Sequence, residues 1–62
     1  MITNIRLNRI QCTHCGDIIT SESVHDYKKC SCGAVSVDGG HEYLRREFTH
    51  GTSDYIELSD YD

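Results

Sequence analysis

The spacing of apolar and polar residues predicts a chain of short β-strands joined by polar turns. Residues 9–12 and 18–21 are predicted as strands that enter and leave a first pair of cysteines. Residues 27–30 and 34–38 are predicted in the same way around a second pair, with two valines on one face of the last strand. The pattern is typical of a small all-β protein.

A turn and a returning strand are predicted after the second cysteine pair. Asp38-Gly39-Gly40 favours a tight turn, because glycines supply the positive φ angles that such turns need. Residues 42–48 are predicted as the returning strand, with Leu44 and Phe48 facing inward. A short helix over 42–48 is the alternative, because this segment is rich in helix formers and poor in β-branched residues.

The first eight residues leave two structures open. Ile5 and Leu7 alternate with polar residues as in a strand, whereas Ile2 and Ile5 also suit one turn of a helix. The alternation alone does not separate the two.

The C-terminal part contains one more predicted strand. Residues 49–54 form a polar stretch around a glycine, 55–58 alternate as a last short strand, and 59–62 are expected to be a loose end. A chain of 62 residues has room for one domain. We therefore predict a single domain over 1–62 with an ordered core from residue 9 to residue 58.

Composition limits the core that this domain can bury. Only fourteen Val, Ile, Leu, Met and Phe residues and four tyrosines are available, and tryptophan is absent. Domains of this size commonly need disulfides, a metal ion or a partner chain to be stable. The four cysteines point to one of the first two.

The expected compartment favours a metal over disulfides. The first residues lack the charged segment and apolar run of a secretion signal, and no apolar stretch has membrane-spanning length. We therefore expect a cytoplasmic protein with no membrane partner. In a reducing cytosol, clustered cysteines usually bind metal.

The cysteines are arranged as two half-sites, C-x-x-C-G and C-x-C-G, separated by fourteen residues. Zinc takes four such ligands in a tetrahedron, and the glycine lets the backbone curl so that its amides point at the sulfurs. The spacer matches the usual gap between zinc half-sites. We predict one structural Zn²⁺ with the ligands Cys12, Cys15, Cys30 and Cys32.

Other interpretations of the cysteine pattern stay open. The second half-site is one residue shorter than the usual spacing, so His14 or His25 in place of one cysteine is an alternative. A disulfide framework is another, and iron suits the same four-sulfur tetrahedron. Four sulfurs close the coordination shell, so we expect a structural metal and no enzyme activity.

Several short motifs carry a resemblance to known proteins. They are Cys12-Thr13-His14-Cys15-Gly16-Asp17, His25-Asp26-Tyr27, Cys30-Ser31-Cys32-Gly33, Val37-Asp38-Gly39-Gly40 followed by Tyr43-Leu44-Arg45-Arg46, and the acidic end Asp60-Tyr61-Asp62. Over residues 9–48 the chain resembles the zinc-ribbon class, in which two cysteine turns lie at hairpin tips above a small sheet. More narrowly, it is similar to small uncharacterised zinc-ribbon proteins of Gram-positive bacteria and their phages. The resemblance implies a zinc ribbon and phage origin, and no mechanism.

Two acidic residues outside the half-sites have simple structural interpretations. Asp26 can orient His25 as a functional pair, but capping of a turn is the favoured interpretation. Asp38 precedes two glycines and is interpreted as a turn former.

Adjacent arginines raise the question of nucleic-acid binding. Arg45 and Arg46 point to opposite faces if they lie on a strand. One of them could still join Arg9, Lys28 and Lys29 in a basic stripe, although a solvated face balanced by acidic neighbours is favoured.

The charge balance favours a protein partner. The formal net charge is −4, and non-specific nucleic-acid binding depends on cationic surfaces. In residues 54–62, four acidic residues are interleaved with tyrosines and aliphatic residues. This segment is interpreted either as an edge strand with a soluble end or as a segment that binds a partner. The leading hypothesis is a protein-interaction module that docks on a larger protein, a host protein if the chain has the phage origin that the resemblance implies. The alternative is a nucleic-acid-binding zinc ribbon, and a second alternative is an iron-bearing redox protein.

Overall fold

The computed structural model describes residues 4–62, and within this range the chain forms eight short strands and one turn of 3₁₀ helix. The strands are Ile5–Leu7 (β1), Arg9–Cys12 (β2), Ile18–Thr20 (β3), Lys28–Lys29 (β4), Val35–Asp38 (β5), Arg45–Phe48 (β6), Tyr55–Glu57 (β7) and Asp60–Tyr61 (β8). The 3₁₀ turn is Thr52–Asp54. The prediction of an all-β fold with short antiparallel hairpins is confirmed.

The strands form three small antiparallel sheets. A central sheet has the order β3-β2-β7, an outer sheet has the order β4-β5-β6, and β1 pairs with β8 in a two-stranded ribbon. The two hairpins β2–β3 and β4–β5 carry the two cysteine half-sites at their tips. Each half-site is therefore a turn between two paired strands.

The side chains of strand β2 alternate between a buried face and a solvent-facing face of the central sheet. Ile10 and Cys12 are buried, whereas Arg9 and Gln11 point the other way. This alternation places the buried side of β2 against the outer sheet and leaves its other side toward solvent.

Strand β5 is the most deeply buried element of the outer sheet. Val35 and Val37 are fully buried on one face, as predicted, and Ser36 is buried as well. The serine hydroxyl donates a hydrogen bond to Glu47 Oε1 at 3.1 Å, which satisfies its polar atom.

Residues 42–48 include a strand, not a helix, but the strand is shorter than predicted. It begins at Arg45, because the amides of Glu42 and Tyr43 both donate to the Gly39 carbonyl and keep the preceding residues in a turn. The prediction that Phe48 faces inward is wrong, since 47% of the residue is exposed. Its ring instead lies beside Tyr55, with the centroids 6.1 Å apart.

The two ends of the described chain pair with each other. Ile5–Leu7 is a strand, and Ile2 lies outside the described residues. The loose end expected at 59–62 is replaced by β8, and the Asp62 amide donates to the Asn4 carbonyl at 2.9 Å. An ion pair between Arg6 and Asp60 joins the same two strands, so charge as well as backbone pairing holds the end.

No helix within residues 4–62 has the length and hydropathy of a membrane-spanning segment.

The apolar core is thin and includes the half-sites themselves. Its buried hydrophobic members are Ile10, Cys12, Cys30, Val35 and Val37. Two of these five residues are cysteines, so the interior of the domain and the candidate metal centre are one region.

Candidate metal centre

The first half-site is a tight turn at the tip of the β2–β3 hairpin. The Cys12 amide donates to the Asp17 carbonyl at 2.8 Å, and the Gly16 amide donates to the Cys12 carbonyl at 3.0 Å. Gly16 adopts a φ of 80°, which glycine reaches without steric cost. The His14 amide donates to Cys12 Sγ at 3.4 Å, and the Asp17 amide is the largest of the causes that lower the pKa of Cys15. Backbone amides thus point at the sulfurs, as the glycine after the second cysteine predicted.

The second half-site repeats this geometry with one residue fewer. The Cys30 amide donates to the Val35 carbonyl at 3.1 Å, and the Gly33 amide donates to the Cys30 carbonyl at 3.0 Å. Asp17 connects the two half-sites, because its Oδ2 accepts hydrogen bonds from both the amide and the hydroxyl of Ser31. The hydrogen bond from the Ser31 amide to Asp17 Oδ2 is 2.7 Å long. One carboxylate therefore fixes the second turn against the first.

The four sulfurs lie in one cluster. Cys32 Sγ is 3.6 Å from Cys12 Sγ and 3.6 Å from Cys30 Sγ, and all four sulfurs, including that of Cys15, lie within 4.8 Å of one another. A tetrahedron with metal–sulfur bonds of about 2.3 Å has edges of about 3.8 Å. The cluster is close to these dimensions and can hold one metal ion.

The thiols influence one another's ionisation. Burial raises the pKa of Cys30, but the Val35 amide and the neighbouring thiols outweigh it and lower the value to about 6. The Ala34 amide lowers the pKa of Cys32, but burial and the other three cysteines outweigh it and raise the value to about 12. A divalent cation among the sulfurs favours the thiolate form of every ligand and removes this conflict.

The mixed and disulfide alternatives do not match the geometry. Within the described residues the sulfur group contains cysteines alone, and all four are free thiols. His14 turns away from the sulfurs, with Nε2 2.7 Å from Asp54 Oδ1. His25 is exposed in the loop between β3 and β4.

Asp26 and Asp38 both have the structural roles that were favoured. Asp26 Oδ2 accepts the Glu22 amide at 2.9 Å and Lys28 Nζ at 3.0 Å, which closes the loop before β4. Asp38 Oδ1 accepts the Gly39 amide at 2.8 Å at the start of the following turn.

A second cluster of titratable side chains escaped the sequence analysis. His14, His50 and Asp54 have their ligand-type atoms within 4.8 Å of one another. The hydrogen bond from His14 is the largest cause that keeps the pKa of Asp54 well below its ordinary value, and the His50 amide is the next. The i, i+4 spacing of His50 and Asp54 is the one signal in the sequence for this cluster. Its connection to His14 spans forty positions and depends on the fold.

The comparisons with known proteins give a family and no function. Residues 4–48 match the family model described as a domain of unknown function, DUF7695. No curated protein and no solved structure matches the chain. The matched region includes both cysteine half-sites and every strand from β1 to β6. The chain therefore belongs to the DUF7695 family.

Proposed function

We propose that the chain is a zinc ribbon whose single Zn²⁺ is structural and whose role is to bind a larger protein. The observation that carries the zinc assignment is the cluster of four free cysteine sulfurs, drawn from two amide-lined turns. Four thiolates satisfy a tetrahedral ion and leave no open position for water or substrate. The proposed role is accordingly a binding role and not catalysis.

The thin core supports a structural role for the metal. Apart from the two cysteines, its buried aliphatic residues are Ile10, Val35 and Val37. Fully burying such a side chain contributes about 1.5–3 kcal/mol, which is small against the conformational entropy of ordering the chain. A bound ion adds its binding free energy to folding, because the unfolded chain does not present a formed site.

Metal removal tests this part of the proposal. Protein purified without a metal-affinity tag should contain one equivalent of zinc by elemental analysis. A chelator under reducing conditions should abolish the cooperative unfolding transition, and added Zn²⁺ should restore it. One equivalent of iron, with its visible absorbance, would overturn the zinc assignment, and an unchanged transition would overturn the structural role.

An exposed apolar area on the central sheet supports a protein partner. Gln11 of β2 lies opposite Ile18 of β3 and opposite Ile56 of β7, so the three side chains share one face. Ile18 is 56% exposed and Ile56 is 51% exposed. Two isoleucines that flank a polar residue on a solvent-facing sheet form a surface suited to the apolar centre of an interface. We call this surface the outer face.

The pairing of the basic residues weighs against the nucleic-acid alternative. A phosphate-binding surface needs cations that are free to release counterions. Four of the six lysines and arginines instead lie within ion-pair distance of a carboxylate. The pairs are Arg6 with Asp60, Lys28 with Asp26, Arg45 with Glu47, and Arg46 with Glu57.

Substitution of the outer face tests the binding role. We expect zinc-loaded protein to retain a larger protein from a lysate of its own cell, or of the host cell where the chain is phage-encoded. Ile18→Ser with Ile56→Ser should lose that protein while keeping one zinc and the same unfolding temperature. Equal capture by both forms would contradict the outer face as the interface. Retention of nucleic acid, with a steep dependence on salt, would favour the alternative function.

A further inference from the structure

The carboxylate of Asp54 is buried and oriented by the backbone. Its side chain is 2% exposed, and its Oδ2 accepts the amides of Thr49 at 3.1 Å and His50 at 2.7 Å. These two bonds fix the plane of the carboxylate and leave Oδ1 directed at two imidazole rings. Carboxylates that ligate metals are held by hydrogen bonds of this kind.

Two histidines lie beside Asp54 Oδ1, the carboxylate oxygen that the Thr49 and His50 amides do not contact. Asp54 Oδ1 is 2.7 Å from His14 Nε2 and 3.4 Å from His50 Nδ1, and the two ring centroids are 5.6 Å apart. The imidazole side chains are 47% and 70% exposed, so solvent reaches the cluster from the side opposite the carboxylate.

The backbone keeps the three side chains together. The Thr13 amide donates to the Asp54 carbonyl at 2.8 Å, and the Thr13 hydroxyl donates to the Ser53 carbonyl at 2.9 Å. These bonds tie the first cysteine turn, which carries His14, to the 3₁₀ turn, which ends at Asp54. The relative position of His14 and Asp54 is therefore held by hydrogen bonds to backbone carbonyls.

The spacing of the ligand atoms suits a coordinated ion. Metal–nitrogen and metal–oxygen bonds of about 2.0–2.1 Å give a tetrahedral edge of about 3.3 Å. The distance from His50 Nδ1 to Asp54 Oδ1, 3.4 Å, already matches this edge. The distance from His14 Nε2 to Asp54 Oδ1, 2.7 Å, is shorter, and rotation of the exposed His14 ring would lengthen it. We propose that His14, His50 and Asp54 form a second metal site that binds a divalent transition metal through two imidazoles and one carboxylate.

The ligand set determines the class of metal and how tightly it is held. Imidazole ligands suit Zn²⁺, Co²⁺, Ni²⁺ and Cu²⁺, whereas Mg²⁺ and Ca²⁺ prefer oxygen ligands alone. Three protein ligands leave at least one position to water, in contrast to the four-sulfur centre. The second site therefore exchanges its metal with solvent and binds it more weakly than the first.

Cobalt titration of the full chain tests the proposal. Protein without a histidine tag, with one equivalent of Zn²⁺ already bound, is titrated with Co²⁺ under reducing conditions. We expect one further equivalent to bind with weak ligand-field bands and without the intense thiolate-to-cobalt absorption that marks the four-sulfur centre. His50→Ala removes a ligand, so it should weaken this second equivalent by at least the roughly 10–100-fold that loss of a group supporting a ligand costs, and it should leave the first zinc in place.

Matched variants separate this site from adventitious binding. His25→Ala removes another exposed imidazole and should leave the second affinity unchanged. Binding of a single metal in total would overturn the proposal, as would a second equivalent that His50→Ala does not weaken. Thiolate absorption in the titration would show that Co²⁺ entered the four-sulfur centre, so failure there is distinguishable from failure of the second site.

Discussion

Arg46 Nη1 donates a hydrogen bond of 2.7 Å to Asn8 Oδ1, across 38 positions of the chain. The Asn8 amide group donates in turn to the carbonyls of Asp38 and Gly40 at 3.0 Å. Asn8 is fully buried, and its side chain joins the N-terminal strands to the turn that follows β5. One asparagine between β1 and β2 therefore organises the side of the domain away from the cysteines.

Substitution of Asn8 should destabilise the fold without touching the four cysteines. Asn8→Ala removes the donor to three backbone carbonyls, those of Asp38, Gly40 and Tyr43, and the acceptor for Arg46. Each such loss costs about 1–3 kcal/mol. We expect the free energy of unfolding of the zinc-loaded protein to fall by at least about 3 kcal/mol in urea titrations. Asn4→Ala, at an exposed position, should have little effect. Equal effects of the two substitutions would contradict this role.

Asp17 should strengthen metal binding although it is not a ligand. Asp17→Asn keeps the size of the side chain but removes the negative charge of the carboxylate, whose Oδ2 accepts two hydrogen bonds from Ser31. Loss of such support typically lowers metal affinity by about 10–100-fold. Competition with a chromophoric chelator measures this change. Glu22→Gln, whose side chain is 79% exposed, is the control, and an affinity equal to that of Asp17→Asn would count against the prediction.

Gly40 should tolerate no side chain. A Cβ atom at this position would lie 2.2 Å from the backbone carbon of Ser23, so the backbone of one of the two segments would have to shift. We expect Gly40→Ala to cost about 3 kcal/mol, measured by chemical unfolding. Gly51→Ala is the matched control, because nothing lies within 4 Å of its added atom. A variant at Gly40 as stable as the control would show that the loop moves away freely.

The loop before β4 should depend on Asp26 and not on His25. The Glu22 amide and Lys28 lower the pKa of Asp26 below its ordinary value of 3.8. A depressed pKa contributes stability that is fully present above the ordinary value and is lost as the pH falls through the folded value. Asp26→Ala should therefore lower the unfolding temperature by the same amount at pH 7 and pH 5.

Thermal unfolding of the zinc-loaded proteins at the two pH values measures the effect. His25→Ala should unfold at the wild-type temperature, since His25 is exposed. If His25→Ala lowers the unfolding temperature as much as Asp26→Ala does, the two residues act as a pair and the prediction is wrong. A gap that closes between pH 7 and pH 5 would contradict the lowered pKa.

Local patterns predicted much of the fold. The strands on either side of each half-site were placed to within two residues, because alternation over four or five positions is a property of the local sequence. The prediction that Phe48 faces inward is wrong, because the exposure of a side chain depends on which residues the folded chain brings beside it. Tyr55, its aromatic neighbour, belongs to a different sheet.

The sequence by itself determined the all-β character and the two cysteine turns, since strand alternation and a C-x-x-C-G spacing both act within a few residues. Only the tertiary structure decided that His14 meets Asp54, that Asn8 meets Arg46, and that the chain end pairs with β1. Each of these contacts joins residues at least 38 positions apart, so no local periodicity in the sequence indicates it. Such contacts leave no local signal in the sequence, because the residues become neighbours only through the packing of the sheets.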